Sequence, residues 1–518
     1  MNDVVNNGVN NGVNNGVNNG VNNGASNEAK AEVKADKPAA PEVKDNIVTT
    51  RHTIKLGSKT LRYTAKVGTI VLKEEDDKRG HHPKAEMFFM SFTKDGVKDK
   101  SKRPITFSFN GGPGSSSVWM LLGLLGPKRV PLSKSASERL KPPYKITENE
   151  FTLLQDSDLV FIDPVGTGYS RPLTGEDTKP AEFYTFQRDL DSVGELIRMV
   201  ISREGRWSSP KFLIGESYGT TRATALASHL QEQYGLTLNG IMLVSVVLNF
   251  QTILFGPGND LPYVVYLPSY ALTARYHGKV SARLQKMSEK EFLDEVRAYA
   301  EGPYAQALFK GARLDEKTRA NVLQKLSEYT GLSEAYIDGA NLRIEIMRFS
   351  KELLRNEHKV IGRFDSRITG VDGDDAGENF ESDPSFDIVH GVYSACLNDF
   401  VRGELQYESD LPYEIISFKV HPQWRYDSFE NRYVNTAEML RTAMQKTPHL
   451  KVLVANGKYD LATPFFATEH TFDHLGVRDG QEKNIKHTYF DSGHMMYMDK
   501  TSLKNLAKDI QQFVKTSS

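Results

Sequence analysis

The chain carries a single cysteine, Cys396, in 518 residues. No disulfide can form within it, and a zinc site built from several thiolates is excluded. Cys396 has no Cys-His motif around it and reads as an inert, buried thiol. An excess of charge of one sign is also lacking: 65 Lys and Arg stand against 66 Asp and Glu. That balance points away from nucleic acid or a membrane surface as a partner. No stretch approaches the uninterrupted apolar run of a membrane span. The N-terminus shows neither the basic n-region nor the apolar h-region of a signal peptide. As written, the chain is expected in the cytoplasm; a misassigned start would leave the periplasm or secretion open. Side-chain preference and oligomeric state leave no mark that can be read.

What is present begins with low complexity. Residues 2–24 are mostly Asn-Asn-Gly-Val units, and residues 25–45 are rich in Ala, Lys, Glu and Pro. Neither stretch has the apolar content to offset the entropy of ordering, so residues 1–45 are expected to be a disordered tail. The remainder exceeds an ordinary single domain, which predicts a large core with an insertion, or two domains.

Strand-like alternation runs through Thr53-Ile54-Lys55-Leu56, Leu61-Arg62-Tyr63-Thr64 and Gly68-Thr69-Ile70-Val71-Leu72, with a turn at Gly57-Ser58-Lys59. Glu74 to Arg79 reads as a solvated hairpin loop and Ala85 to Thr93 as another strand. These predict antiparallel strands at one edge of a sheet. The pattern then changes to short apolar runs, most of them ending in glycine-rich loops: Ile105–Phe109, Leu159–Ile162, Phe212–Ile214, Ile241–Val244 and Val452–Val454. Helical patterns over Ala181–Arg203 and Thr220–Gln233 lie between them. The alternation predicts an α/β fold with a mainly parallel, doubly covered sheet and a site at the carboxyl ends of its strands. Residues 255–445 break the rhythm. Glu289–Glu301, Glu316–Tyr329 and Glu334–His358 read as helices there. The expected organisation is a core over 46–254 and 446–518 with a helical cap inserted at 255–445. Within the cap, Asp372 to Asp383 half-matches a calcium loop, but Ala376 stands at a ligand position and Asp383 at the place of the bidentate Glu, so a solvated acidic turn is expected. His470 and His474 lack a third ligand nearby. No metal and no cofactor is expected.

The chemistry centres on Gly215-Glu216-Ser217-Tyr218-Gly219. A strand-like run precedes it and a helix-like run follows, the context of a nucleophile elbow. A chance loop is the alternative for the pentapeptide alone. A serine nucleophile needs a base and a carboxylate to orient the base. In chain order, Asp460 follows a late strand, and His494 lies on a loop after the run Thr488-Tyr489-Phe490 and before a final amphipathic helix from Ser502. Other readings stand beside these: Asp460 as a cap, Asp491 as the acid, His494 as an ordinary loop histidine. An oxyanion needs two converging N–H donors. Tyr218 follows the candidate nucleophile, and Asn110-Gly111-Gly112-Pro113-Gly114 follows an early strand, so Gly112 and Tyr218 are the candidate donors. An ordinary tight turn is the other reading of the glycine loop.

Four blocks in one order, Asn110–Ser117, Phe161–Ser170, Gly215–Gly219 and Gly493-His494-Met495, resemble the signatures of the serine carboxypeptidases, the family of carboxypeptidase Y, in a disulfide-free, bacterial-type branch. The resemblance runs from about residue 85 to the end. It implies an α/β-hydrolase fold with a helical cap and release of single C-terminal residues from a peptide substrate. It also implies the triad Ser217, Asp460 and His494, the oxyanion donors Gly112 and Tyr218, and a substrate-carboxylate subsite of Asn110, Gly111 and Glu216. Three positions depart from the pattern. Ser108 stands for a Trp, Ser115 for a Cys, and Leu124 for a Glu that shares a proton with the carboxylate-binding Glu. Without that like charge, Glu216 as an anion would repel a substrate carboxylate as pH rises, unless burial beside Leu124 raises its pKa or Arg363 or Arg367 compensates. The competing readings are an esterase or acyltransferase on the same fold, or an inactive binding protein. Deletion of residues 1–45 is expected to leave kcat/KM and Tm unchanged. An activity assay with a thermal melt checks this, and a large loss of either would mean that the tail docks on the fold.

Overall fold

The apolar runs that precede the glycine-rich loops form the middle of one sheet. In the computed structural model, residues 43–76, 80–131, 138–173 and 179–518 are described. The expected tail therefore lies outside the described residues up to position 42. Its last residue is part of the fold: Asp45 accepts from Val71 N at 2.8 Å and pairs with Arg203 at 2.6 Å.

The sheet strands are β1 (Asn46–Leu56), β2 (Lys59–Asp76), β3 (Gly80–Lys94), β4 (Ile105–Phe109), β5 (Asp158–Ile162), β6 (Lys211–Ser217), β7 (Gly240–Val246), β8 (Lys451–Gly457) and β9 (Ile485–Phe490). Their order is β1-β2-β3-β5-β4-β6-β7-β8-β9, with Arg171–Pro172 beside β3. β1, β2 and β3 pair antiparallel, and so do β3 and β5. From β5 onward every pair is parallel. The mainly parallel sheet with antiparallel N-terminal strands is thus the one observed. From β4 the chain steps out to β5 and returns on the other side to β6. Strand order reverses there, so the loops after β4 and β6 are neighbours at the carboxyl edge.

Every residue of β4 and β5 is buried. Such strands read as continuous apolar runs because both faces are covered. Along β6, Phe212 and Ile214 join Leu503, Leu506 and Ile510 of helix Lys500–Ser517. Leu213 between them joins Leu196 and Leu226 on the opposite face, as the two-residue period of a strand requires. Helix α1 (Phe186–Arg203) and helix α2 (Tyr218–Tyr234) cover that second face. Thr185 Oγ1 caps α1 by accepting from Arg188 N, and Gly235 ends α2 at φ 62°.

Several sequence readings are corrected. The alternating stretches Leu61–Thr64 and Gly68–Leu72 lie on one strand, β2, which continues through Glu74 and Glu75 in register with His82 and His81. Of the solvated loop expected at 74–79, residues 74–76 are ladder, and residues 77–79 lie outside the described residues. The helix expected over Glu334–His358 is broken into Glu334–Gly339, Ile346–Glu352 and a 3-10 turn at Arg355–Glu357. The chain turns at Asn341 and Leu342, φ 51° and 64°. Buried Tyr304 donates to Leu342 O at 2.6 Å, and Glu345 accepts from Met347 N and Arg348 N to start the next helix. Tertiary contacts override helical periodicity here.

The helices between Leu261 and Glu352 share a cluster that runs from Tyr263 to Ile361 and takes in Leu461, Phe465 and Phe466. The later part of the expected cap packs elsewhere. Helix α3 (Pro384–Asp399) places Val392, Tyr393 and Leu397 against Trp119 and Leu121 on one sheet face. Helix α4 (Ala437–Lys446) places Leu440 and Met444 against Leu226 and Leu230 on the other. We propose a cap of residues 255–361, with 384–445 returned to the core. Between them, Lys351 Nζ, itself buried, holds Asp372 Oδ2 and Asp374 O at 2.6 Å each. A lysine in that place ties the acidic turn to the cap in the manner a cation would. Cys396 is buried, and burial pushes its thiol up to about 11.

Candidate active site

Ser217 is the last residue of β6 and precedes α2. Its backbone stands at φ 60°, ψ −130°, a region that costs a non-glycine residue about 1–3 kcal/mol. The glycines around it make this turn possible. A Cβ on Gly215 would lie 2.0 Å from Gly219 O. Ser217 Oγ makes no hydrogen bond to any described residue.

Asp460 and His494 meet directly. His494 Nδ1 lies 2.7 Å from Asp460 Oδ2, and both residues are buried. Asp460 Oδ1 accepts from Ala462 N at 2.8 Å and Thr463 N at 3.0 Å, while Thr463 Oγ1 donates to Oδ2 at 2.7 Å. The carboxylate is thus held by three donors besides the imidazole. Asp491, the other candidate acid, pairs instead with Lys458 at 2.7 Å and is exposed. The base is hung from the strand beside the serine. Ser245 lies at a bulge between the pairs Val244↔Glu216 and Val246↔Ser217, and its hydroxyl donates to His494 O at 2.6 Å. From the other side, His494 N donates to Phe364 O at 2.6 Å, and the Phe364 ring stands 5.0 Å from the imidazole. Segment 363–366 also binds the acid loop, through Leu461 N to Arg363 O and Ser366 N to Tyr459 O.

The loop after β4 reaches the elbow. A Cβ on Gly111 would lie 2.5 Å from Tyr218 N, and Gly112 follows at φ 106°. Only glycine allows this approach of the two backbones. Fully buried Arg222, one turn into α2, fixes it. Its Nη1 donates to Asn110 O at 2.6 Å and its Nε to Asp189 Oδ2 at 2.7 Å, and its guanidinium stacks on Phe109 and Tyr218. Burial raises the Asp189 pKa despite the arginine.

Asn110 and Glu216 also meet. Asn110 Nδ2 donates to Glu216 Oε2 at 2.6 Å, and Asn110 Oδ1 accepts from Met120 N at 3.1 Å. One amide hydrogen of Asn110 is left over. Tyr497 O–H donates to both Glu216 oxygens, at 3.0 and 2.8 Å. Burial dominates the carboxyl and carries it up to about 7, against the pull of His494, Tyr497 and Asn110. Of the outcomes open in the sequence, burial is the one realised. Arg367 is committed to Asp365 at 2.6 Å. Arg363 forms no ion pair among the described residues; its guanidinium lies over Phe364 and its charge opposes protonation of His494. For His494, burial lowers the pKa, but Asp460 and then Glu216 outweigh it and leave the value raised.

Tyr497, Thr463, Ser245 and the Arg222–Asp189 pair were not singled out in the sequence. Met495-Met496-Tyr497, directly after His494, offered the one local signal. The His470 and His474 rings meet tilted at 4.2 Å between centroids, and the described residues hold no group of three or more metal-ligating side chains. An open cleft of about 1210 Å3 is lined by Arg367, Lys458 and Asp491, and by none of Ser217, Asp460, His494, Asn110 or Glu216.

Comparison with known proteins identifies the family. A family model described as serine carboxypeptidase matches residues 78–508. The chain belongs to the serine carboxypeptidase family. Pheromone-processing carboxypeptidase KEX1 of Saccharomyces cerevisiae (strain ATCC 204508 / S288c) is 33% identical over 127 residues, 24% of this chain and 16% of that protein. Carboxypeptidase Y of Schizosaccharomyces pombe is 27% identical over 209 residues, 39% of this chain and 18% of that protein. The chain thus aligns with less than a fifth of the length of these two relatives. The crystal structure of Kex1(Δ)p, a prohormone-processing carboxypeptidase from S. cerevisiae, superposes with a TM-score of 0.50 at 18% identity, covering 87% of this chain and 91% of that one. This likeness concerns the fold alone, and it agrees with the α/β-hydrolase architecture.

The His494 geometry yields a direct test. Its imidazole should titrate above the ordinary value of about 6.5, because Asp460 favours the cation. Asp460→Asn removes that charge and should move the titration down. NMR of the His494 ring protons measures both, and an unshifted value in Asp460→Asn would refute the coupling.

Proposed function

We propose that the chain is a serine-type carboxypeptidase that releases C-terminal residues from peptides through an acyl-enzyme on Ser217. Ser217 Oγ attacks the carbonyl carbon of the last peptide bond and gives its proton to His494 Nε2. Asp460 holds the imidazole in the tautomer that exposes Nε2 and stabilises the cation. The N–H groups of Gly112 and Tyr218 receive the oxyanion. The C–N bond breaks as His494 returns the proton to the leaving amine. A water then attacks the ester carbon, His494 takes its proton, and the C–O bond to Ser217 breaks with return of the proton to Oγ. The peptide leaves one residue shorter.

The observation that carries the exopeptidase part is Glu216. A carboxyl group buried next to the acid–base pair and raised to about 7 can be neutral when substrate arrives. A neutral acid donates to a terminal carboxylate, where an anion would repel it. The spare Asn110 hydrogen and the Gly111 backbone complete the proposed subsite. An enzyme for simple esters has no use for such a group, which is why the esterase or acyltransferase reading ranks second.

An N-blocked dipeptide should be cleaved in preference to its C-terminal amide, and Ser217→Ala should lower kcat/KM by about 10^4-fold or more with the fold intact. Rates on peptide, amide and a simple ester, with circular dichroism of the variant, provide the check. Unchanged activity in Ser217→Ala would remove the nucleophile. No preference for the free acid would favour the esterase or acyltransferase.

A further inference from the structure

The second carboxyl expected beside Glu216 is absent, because position 124 is a buried leucine. Another side chain reaches Glu216 instead. The chain from Leu121 to Leu125 forms a single π turn, and Gly123 sits within it. A Cβ on Gly123 would lie 2.3 Å from Tyr497 Cδ2 and 2.4 Å from Cε2. The Tyr497 ring therefore lies against the turn, in the space that a side chain at 123 would need. Its hydroxyl ends at 3.0 and 2.8 Å from the two Glu216 oxygens. Tyr497 is wholly buried, on the 3-10 turn Met496–Met498, three residues after His494. One short segment thus carries both the candidate base and the partner of Glu216.

We propose that Tyr497 is a positioning residue for substrate recognition: it replaces a second carboxyl and orients the Glu216 acid toward the terminal carboxylate of the peptide. The inference rests on the carboxypeptidase reading above. Its logic is one of donors and acceptors. A second carboxyl would share the Glu216 proton and compete with the substrate for it. A phenol instead donates. Burial pushes the Tyr497 hydroxyl well above its usual range, so it stays protonated. With Tyr497 and Asn110 both donating to Glu216, the inward lone pairs are occupied. A proton carried by Glu216 is then free for the incoming carboxylate. The other groups that face Glu216 are His494, whose charge lowers its pKa, and Asp460, whose charge raises it. Tyr393 lies beyond, its own hydroxyl pushed up by burial and by Glu216.

Tyr497→Phe tests this, because it keeps the ring against Gly123 and removes only the donor. KM for an N-blocked dipeptide should rise about tenfold at acidic pH, the scale of one lost hydrogen bond at a charged or titrating group. The pH at which KM begins to climb should move upward, because the lost donor favoured the Glu216 anion. The loss on a simple ester, which presents no carboxylate, should be clearly smaller than the loss on the peptide. In a Glu216→Gln background the same change should shift no inflection. The comparison separates two failures. If the wild type binds dipeptide and C-terminal ester alike, the carboxypeptidase reading falls and this inference with it. If the wild type discriminates and Tyr497→Phe keeps the same KM and the same inflection, only the role of Tyr497 is refuted. An equal loss on ester and peptide would also refute it, since Tyr497 would then support the site as a whole.

Discussion

The burial of the Glu216 carboxyl is the constraint to which the rest of the site answers. Glu216 directly precedes Ser217 on β6, so the strand that presents the serine also carries the carboxyl inside, where it is 2% exposed. Desolvation favours its neutral form, and two donors draw it partly back. His494 stands within electrostatic reach. The Glu216 anion raises His494, and the His494 cation lowers Glu216. Proposed catalysis asks for one arrangement of a single proton: on Glu216, where it holds the substrate carboxylate, and off His494, where the imidazole must accept from Ser217. The negative charge of an arriving substrate stabilises a protonated Glu216.

Such a balance needs a rigid surround, and the surround comes from distant parts of the chain. Arg222 and Asp189 hold the Asn110 loop against α2. Thr463 holds Asp460, and Ser245 holds the His494 backbone from the neighbouring strand. Segment 363–366 ties the acid loop to the base loop. Fixed partners of this kind spare the site reorganisation during reaction, which is the source of most electrostatic stabilisation in enzymes. The buried Arg222–Asp189 pair is costly in desolvation. Its bond to Asn110 O suggests what that cost secures, the approach of Gly111 to Tyr218.

Elements whose pattern arises locally were legible in the sequence. β4, β5 and β6 were marked by apolar runs followed by glycine loops, and both faces of these strands proved covered. The elbow was legible because its glycines have steric work to do. Asp460 and His494 were found through chain order, and the structure joins them at 2.7 Å. What escaped depends on tertiary contact. The Glu334–His358 pattern is only partly amphipathic, and the chain turns at Leu342, where Tyr304 donates to its carbonyl. Helices α3 and α4 carry no sequence sign that they return to the sheet. Tyr497 was not singled out: its place just after His494 marks the stretch, but nothing there reveals a carboxyl on a strand 281 residues away.

The most direct measurement is KM against pH for one N-blocked dipeptide, in the wild type and in Glu216→Gln. With Glu216 at about 7, wild-type KM should climb as pH rises through neutrality, because the group loses its proton and begins to repel the substrate. Gln keeps a donor and no charge, so Glu216→Gln should bind at least as well at neutral pH and show no such climb. A sharp rise of KM in Glu216→Gln at neutral pH, with the wild type still binding well, would contradict the account.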